Sequence, residues 1–268
     1  MIVRAIRSAL FYLLFIGQTA IIAITIGTIA LFTRGKRTPM AWALAKYWCR
    51  SNLWLLSIIA GIKTEVSGTE HLPEGGCIIA SKHQSDWDVF AVFPHTGRPA
   101  YVVKKELMDI PFFGNAARSL DCIEVDRKSG GTAITSMIEG AHVALAKGCR
   151  VVIFPEGTRK DPLAAPDYKW GIAKLYEALN VPVVPVALNS GLFWGRNSLV
   201  LWPGKPKARF LPAIPAGLPM REFQARLIAA IEGESNALIV EADDAGLSRP
   251  VDAEMRKKLD ALRVTPKT

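Results

Sequence analysis

The chain has 268 residues, half of them hydrophobic, a mean hydropathy of +0.21 and a net charge of +9. That length holds one substantial α/β domain with appendages, and four cysteines with no CxxC pair among them argue against a zinc ribbon or a disulfide framework and for buried thiols in a reducing compartment. A chain both apolar and basic points to a membrane and to anionic partners, phospholipid headgroups or phosphorylated metabolites, against the plainer alternative of a solubilising surface.

The first element reads as an anchor. Residues 9–32, "ALFYLLFIGQTAIIAITIGTIALF", run for 24 positions without a charge. At about 1.5 Å per residue such a helix reaches across a hydrocarbon core of about 30 Å. It is too long for the apolar stretch of a signal peptide, and no small-residue cleavage site follows it. Arg4 and Arg7 precede it, whereas Arg34, Lys36, Arg37, Lys46 and Arg50 follow. That bias keeps the C-terminal side cytoplasmic and predicts an inner-membrane protein whose remaining domain faces the cytoplasm. Gln18, several threonines and several glycines weaken the spanning character, so a helix embedded in one leaflet is the alternative. A second apolar stretch, residues 47–62 with Trp48 and Trp54, is short for a span and reads as an interfacial helix or as a core helix of the next domain.

From residue 63 strands and helices alternate. Residues 63–68 and 76–81 read as strands, 88–95 as a short helix stopped by Pro94, and 99–106 and 119–127 as strands. A helix comes next, with apolar residues at 134, 137, 138, 141 and 145 and an end at Gly148. Residues 149–155 form an apolar strand ending at a proline, 170–180 a helix closed by Asn180, and 181–188 a strand whose two prolines argue for a sheet edge or a bulge. Residues 198–203 and 208–214 add two strands, and 219–240 a long amphipathic helix. The tail from Ser248 is polar and basic, with Val251, Met255, Leu259 and Leu262 about one helical turn apart, as on a surface helix. The pattern predicts an α/β fold, a mixed and largely parallel sheet flanked by helices, behind an N-terminal membrane-anchoring helical region. The expected division is anchoring helices over 1–62, a catalytic domain over 63–247 and a tail over 248–268. There is no GxSxG elbow, Walker A motif or GxGxxG, so an α/β-hydrolase nucleophile, a P-loop and a dinucleotide fingerprint are unsupported.

The chemistry gathers where strands end. "SKHQSDWDVF" (81–90) sets a polar cluster between two apolar runs. As a helix start, Ser85 is the cap and Asp88 completes a capping box. As a catalytic pair, Asp88 reaches back to His83, fixes its tautomer and raises the basicity of its other nitrogen. "VVIFPEGTR" (151–159) runs a buried strand into Glu156, Gly157, Thr158 and Arg159. The glycine permits a tight turn with exposed amides, Arg159 offers a planar fork for phosphate, and Glu156 holds that arginine or binds a substrate hydroxyl. Arg127 in "IEVDRK" and Lys105 in "YVVKKEL" supply further cations at strand ends. Each cluster alone also reads as a polar turn, but together they can converge on one phosphate-bearing ligand. The four histidines show no metal-ligand spacing, and no nucleic-acid-binding module is recognisable.

These blocks resemble the 1-acylglycerol-3-phosphate acyltransferase family of glycerolipid acyltransferases. "HQSDWD" looks like its HxxxxD block, "DCIEVDR" its second, "FPEGTR" its third without departure and "VPVVPVAL" its proline-bearing fourth, in order over roughly residues 75–190. An asparagine often precedes the histidine in that family, and Lys82 stands there in this chain. The resemblance implies transfer of a fatty acyl group from acyl-CoA or acyl carrier protein to a lysophospholipid hydroxyl, with no cofactor and no metal. His83 and Asp88 would be catalytic, and Arg127, Glu156, Gly157, Thr158, Arg159 and Lys105 would bind the acceptor phosphate and substrate. The competing expectations are another acceptor, such as a lyso-ornithine lipid or other lysophospholipid, a non-catalytic membrane protein that binds anionic lipid, and a hydrolase.

Overall fold

The computed structural model describes residues 2–33 and 39–264. Arg34, Lys36 and Arg37, on which the expected orientation partly rests, lie outside the described residues, as does the end of the tail from residue 265. The charge-free N-terminal stretch satisfies its backbone internally as a single helix, α1 (Ile2–Phe32). Among the described residues it is the one helix long and apolar enough to cross a membrane by length and composition. It does not project away from the rest of the chain. Arg7 bonds the Ile59 carbonyl, Tyr12 donates to the Ser198 carbonyl and Gln18 meets Ser51. Near its far end Gly27 backs onto Phe112 so closely that a β-carbon there would come within 2.7 Å of the Phe112 carbonyl oxygen. The opposite face is bare and apolar, with Val3, Leu13, Ile16 and Ile21 exposed.

Helix α2 (Pro39–Leu55) continues into a π-type turn over Leu56–Ala60. Residues 47–62 satisfy parts of both readings. Cys49 and Asn52 are buried and Trp48 meets Phe90 edge-on with ring centroids 5.0 Å apart, while Trp54 is 60% exposed on the outer side.

The rest of the chain runs as β1 (Glu65–Ser67), β2 (Ile78–Ser81), α3 (Trp87–Val92), β3 (Pro99–Lys104), α4 (Lys105–Met108), α5 (Phe113–Ser119) and β4 (Ile123–Val125). Then come α6 (Gly131–Ala146), β5 (Arg150–Ile153), α7 (Gly171–Leu179), β6 (Val183–Leu188), β7 (Lys207–Phe210), α8 (Met220–Asp244) and α9 (Ala253–Val264). The strands form one sheet in the order β1-β7-β6-β2-β5-β3-β4. β6, β2, β5, β3 and β4 are mutually parallel; β7 is antiparallel to β6 and parallel to β1. This is the mixed, largely parallel sheet flanked by helices that the alternation predicted. Every residue of β2 and β6 is buried, as sequences without polar alternation require when both faces are covered.

Three expectations are corrected. β6, with Pro185 inside it, is no edge strand; it lies between β2 and β7. The bulge reading is the one that applies. From the Val186–Phe210 pair to the Val183–Ile214 bridge, β6 advances by three residues and the facing chain by four, so Pro185 sits where the ladder slips and no N–H is needed. Residues 198–203 form no strand; the Leu201 and Trp202 amides are taken by the Ser8 hydroxyl and the Phe193 carbonyl. The tail is more than a surface helix: Leu259 of α9 is fully buried, and Arg256 and Arg263 hold Asp243 of α8 at 2.7 and 2.6 Å. The short helices α4 and α5 were not foreseen, because they flank Pro111 and a Phe112 with positive φ (62°) and are too brief to show a period.

Candidate active site

Five parallel strands side by side deliver the loops at their C-terminal ends to one edge of the sheet. β6 leads to Ser190, β2 to His83 and Asp88, β5 to Glu156–Arg159, β3 to Lys104 and Lys105, and β4 to Arg127. The polar clusters seen in the sequence are therefore neighbours because their strands are.

The loop after β2 is ordered by Asp88. That carboxylate is fully buried, yet three donors and the ring of His83 reach it. Oδ2 accepts the Gln84 and Ser85 amides at 2.7 and 2.9 Å and lies 2.9 Å from His83 Nδ1, while Oδ1 accepts the Ser190 hydroxyl at 2.5 Å. Helix α3 starts at Trp87, and Asp86 before it makes no capping bond. The reciprocal bonds of a cap are those expected of Ser85: its hydroxyl accepts the Trp87 amide at 3.1 Å and Asp88 accepts the Ser85 amide.

The His83 ring stacks on Phe154 with centroids 3.9 Å apart. Its backbone is held from the β5 loop at both ends: its amide donates to Glu156 Oε2 at 2.9 Å, and its carbonyl accepts the Lys160 amide at 2.8 Å. Gly157, at φ 70°, makes the turn that brings both groups round. Glu156 is itself fully buried, and burial raises its carboxyl above the ordinary value, an effect that Lys82, with Nζ 3.0 Å away, offsets only in part.

A cavity of about 920 Å³ adjoins this loop edge, within the range of about 300–1,000 Å³ usual for ligand sites. Its polar lining includes His83, Asp86, Lys104, Arg127, Thr158 and Arg159; the remainder is largely apolar, from Ile22 and Ile26 of α1 to Val103, Ala117 and Met137. Arg159 donates to Asp86 at 2.9 Å, and Arg127 donates to the Gly157 carbonyl. Of the residues singled out in the sequence, His83, Arg127, Gly157, Thr158 and Arg159 line the cavity, with Asp88 directly behind His83. Glu156 does not; it holds His83, not Arg159. Lys105 turns to an exposed pairing with Asp126 at 3.4 Å, and its neighbour Lys104 takes the cavity wall. Among the described residues no group of three or more His, Cys, Asp or Glu could hold a metal ion.

Sequence reasoning missed Asp86, Gln84 and Ser190. Gln84 accepts the Gly191 amide at 3.0 Å, so the loop after β6 grips the loop after β2 twice. Ser190 lies 102 residues from Asp88; its one signal was its place directly after an apolar strand.

The Acyltransferase family model matches residues 63–189. The chain is 36% identical over 220 residues to the 1-acyl-sn-glycerol-3-phosphate acyltransferase of Pseudomonas aeruginosa, covering 80% of this chain and 82% of that protein. It is 34% identical over 170 residues to the human 1-acyl-sn-glycerol-3-phosphate acyltransferase alpha, covering 61% of this chain and 59% of that protein. The crystal structure of the 1-acyl-sn-glycerophosphate acyltransferase PlsC from Thermotoga maritima superposes with a TM-score of 0.71 at 21% identity, over 88% of this chain and 97% of that one, and shares the fold. The chain belongs to the 1-acyl-sn-glycerol-3-phosphate acyltransferase family, the family its motifs resemble.

Proposed function

We propose that this acyltransferase moves a fatty acyl group from a thioester, acyl-CoA or acyl carrier protein, to the sn-2 hydroxyl of 1-acylglycerol-3-phosphate, giving phosphatidic acid. The observation that carries the reading is the His83–Asp88 pair, 2.9 Å apart, in the wall of a large and mostly apolar cavity that also presents two arginines. With Nδ1–H donated to Asp88, the lone pair of His83 is on Nε2. Nε2 takes the proton of the acceptor hydroxyl as its oxygen attacks the thioester carbonyl. The tetrahedral intermediate collapses, the C–S bond breaks, and the leaving thiolate takes the proton back from the imidazolium. No acyl-enzyme forms and no cofactor takes part; the thioester is a substrate. Arg127 and Arg159, with Lys104 in the same wall and the turn of Gly157 and Thr158 between them, bind the acceptor phosphate, Arg159 exchanging Asp86 for it. The apolar lining holds an acyl chain, each buried methylene contributing about 0.8 kcal/mol.

The same contacts bear on the membrane. That α1 touches the rest of the chain from Arg7 to Gly27 supports the reading of a helix embedded in one leaflet with its bare face in lipid. The bias of positive charge that follows α1 in the sequence supports a domain on the cytoplasmic face of the inner membrane.

One observation favours a second acceptor. Asp86, half exposed in the wall, suits an ammonium, as in a lyso-ornithine lipid. The deciding assay offers each lysolipid with acyl-CoA or acyl carrier protein to wild type and to His83→Ala. Phosphatidate formation should fall by about 10²–10⁴ in the variant. Wild-type turnover in the variant sinks the mechanism, and product from lyso-ornithine lipid alone moves the acceptor. Free fatty acid without acceptor would indicate a hydrolase, and an untouched thioester a lipid-binding protein.

A further inference from the structure

We infer that Lys82 and Glu232 are positioning residues for His83, acting through Glu156. The inference rests on the proposed role of His83 and adds residues that the catalytic pair does not include. Lys82 is 2% exposed, and a buried ammonium persists only where carboxylates surround it. Its Nζ lies 3.0 Å from Glu156 Oε1 and 2.6 Å from Glu232 Oε1. Tyr168 closes the cluster by donating its hydroxyl to the same Glu232 oxygen at 2.7 Å. Glu156 spends its other oxygen on the His83 amide, 2.9 Å away. A continuous line of contacts thus runs from α8 through Lys82 and Glu156 to the backbone of His83. Glu232 stands well outside residues 63–189, the segment the family model matches.

The charge count explains why the cation matters. Lys82 favours the anionic form of Glu156, in which its 2.9 Å bond to the His83 amide is charge-assisted. Without Lys82 a desolvated carboxyl beside Glu232 takes up a proton, the bond weakens, and the ring of His83 drifts against Phe154. The groups facing Glu156 are Lys82, Glu232, Tyr168 and His83 itself. The direction with pH is fixed. Removing the cation raises the pH at which Glu156 ionises, so the anionic hold is present above that pH and lost below it.

The test compares Lys82→Met and Lys82→Met/Glu156→Gln with wild type, as kcat ratios between about pH 6 and about pH 9. Lys82→Met should lower kcat at least about tenfold at neutral pH, a displacement effect, with the acceptor KM within about twofold. Its ratio to wild type should climb with pH, and in the double variant, where Gln cannot titrate, the ratio should be flat. Should Lys82→Met fail to fold, Lys82→Gln, whose amide bonds both carboxylates, carries the same expectation. An unchanged kcat, or a deficit equal at every pH, overturns the inference. An active wild type beside an indifferent variant overturns this inference alone, whereas a wild type that transfers nothing overturns the reading of function with it.

Discussion

Replacing Asp88 by asparagine isolates the charge of that residue from its bonding. The asparagine oxygen can stand where Oδ2 does and accept the Gln84 and Ser85 amides and the His83 ring, at present 2.7, 2.9 and 2.9 Å away. Its NH₂ then faces Ser190, whose hydroxyl rotates from donor to acceptor. Every hydrogen bond keeps a counterpart, and only the negative charge beside the imidazole is lost. At about 4 Å and an effective dielectric constant of about 20 that charge stabilises an imidazolium by about 4 kcal/mol, which corresponds to about 10³ in kcat. Asp88→Ala is the poorer experiment. It strands the buried amides of Gln84 and Ser85 at about 1–3 kcal/mol each, a large part of a total stability of about 5–15 kcal/mol. The assay is initial thiol release at saturating acceptor and thioester, beside a thermal melt followed by circular dichroism. Asp88→Asn should lose about 10³ in kcat, keep the acceptor KM, since Asp88 is not in the cavity wall, and melt near wild type. A folded Asp88→Asn enzyme within about tenfold of wild-type kcat would refute the reasoning and leave Asp88 as a helix cap alone.

Arg159→Ala should raise the acceptor KM by about 10- to 100-fold, the worth of a charged hydrogen bond, with kcat largely kept; an unchanged KM counts against phosphate binding there. Ala117→Leu narrows the apolar cavity, so kcat/KM for long acyl donors should fall against short ones by about fourfold for each displaced methylene. An equal fall at all chain lengths would mean that the acyl chain lies elsewhere. Burial would raise the Asp243 carboxyl, but hydrogen bonds from Arg256 and Arg263 outweigh it and hold it below the ordinary carboxylate range. A lowered folded value means that its contribution to docking α9 is present above about pH 4 and fades as pH falls further. Asp243→Asn should therefore expose the connection between α8 and α9 to limited proteolysis at neutral pH, where wild type resists; equal resistance would refute that role.

Local pattern and long-range bonding divide what could be read in advance. The apolar runs Ile78–Ala80 of β2 and Val151–Ile153 of β5 and the alternation around them were legible because burial on both faces favours unbroken apolar runs. Residues 198–203 had the same apolar look, yet the Leu201 and Trp202 amides are served by Ser8 and Phe193, partners no local rule can supply. Pro185 read correctly as a missing donor, but the slip that accommodates it lies on the opposing chain between Phe210 and Ile214. The candidate site divides the same way. His83 and Asp88 are five residues apart and His83 follows a strand, so their meeting was visible. Glu156 was misdirected towards Arg159 because adjacency in sequence hid the Lys82 ammonium and the His83 amide that a buried carboxylate needs more.

The stretch from Ser81 to Phe90 poses a choice between a helix cap and a catalytic pair, and the geometry makes the two interdependent. A fully buried carboxylate is costly unless donors surround it. The amides of Gln84 and Ser85, freed at the entrance to α3, supply two of them, and Ser190 supplies a third. The cap is thus what allows an anion to be held at His83 Nδ1 without a cation beside it, which would cancel its effect on the ring. Lys82, the nearest cation in sequence, is turned the other way, to Glu156 and Glu232. Glu156 holds the backbone amide of His83 while Asp88 meets the ring, and so the two carboxylates around one histidine take separate duties.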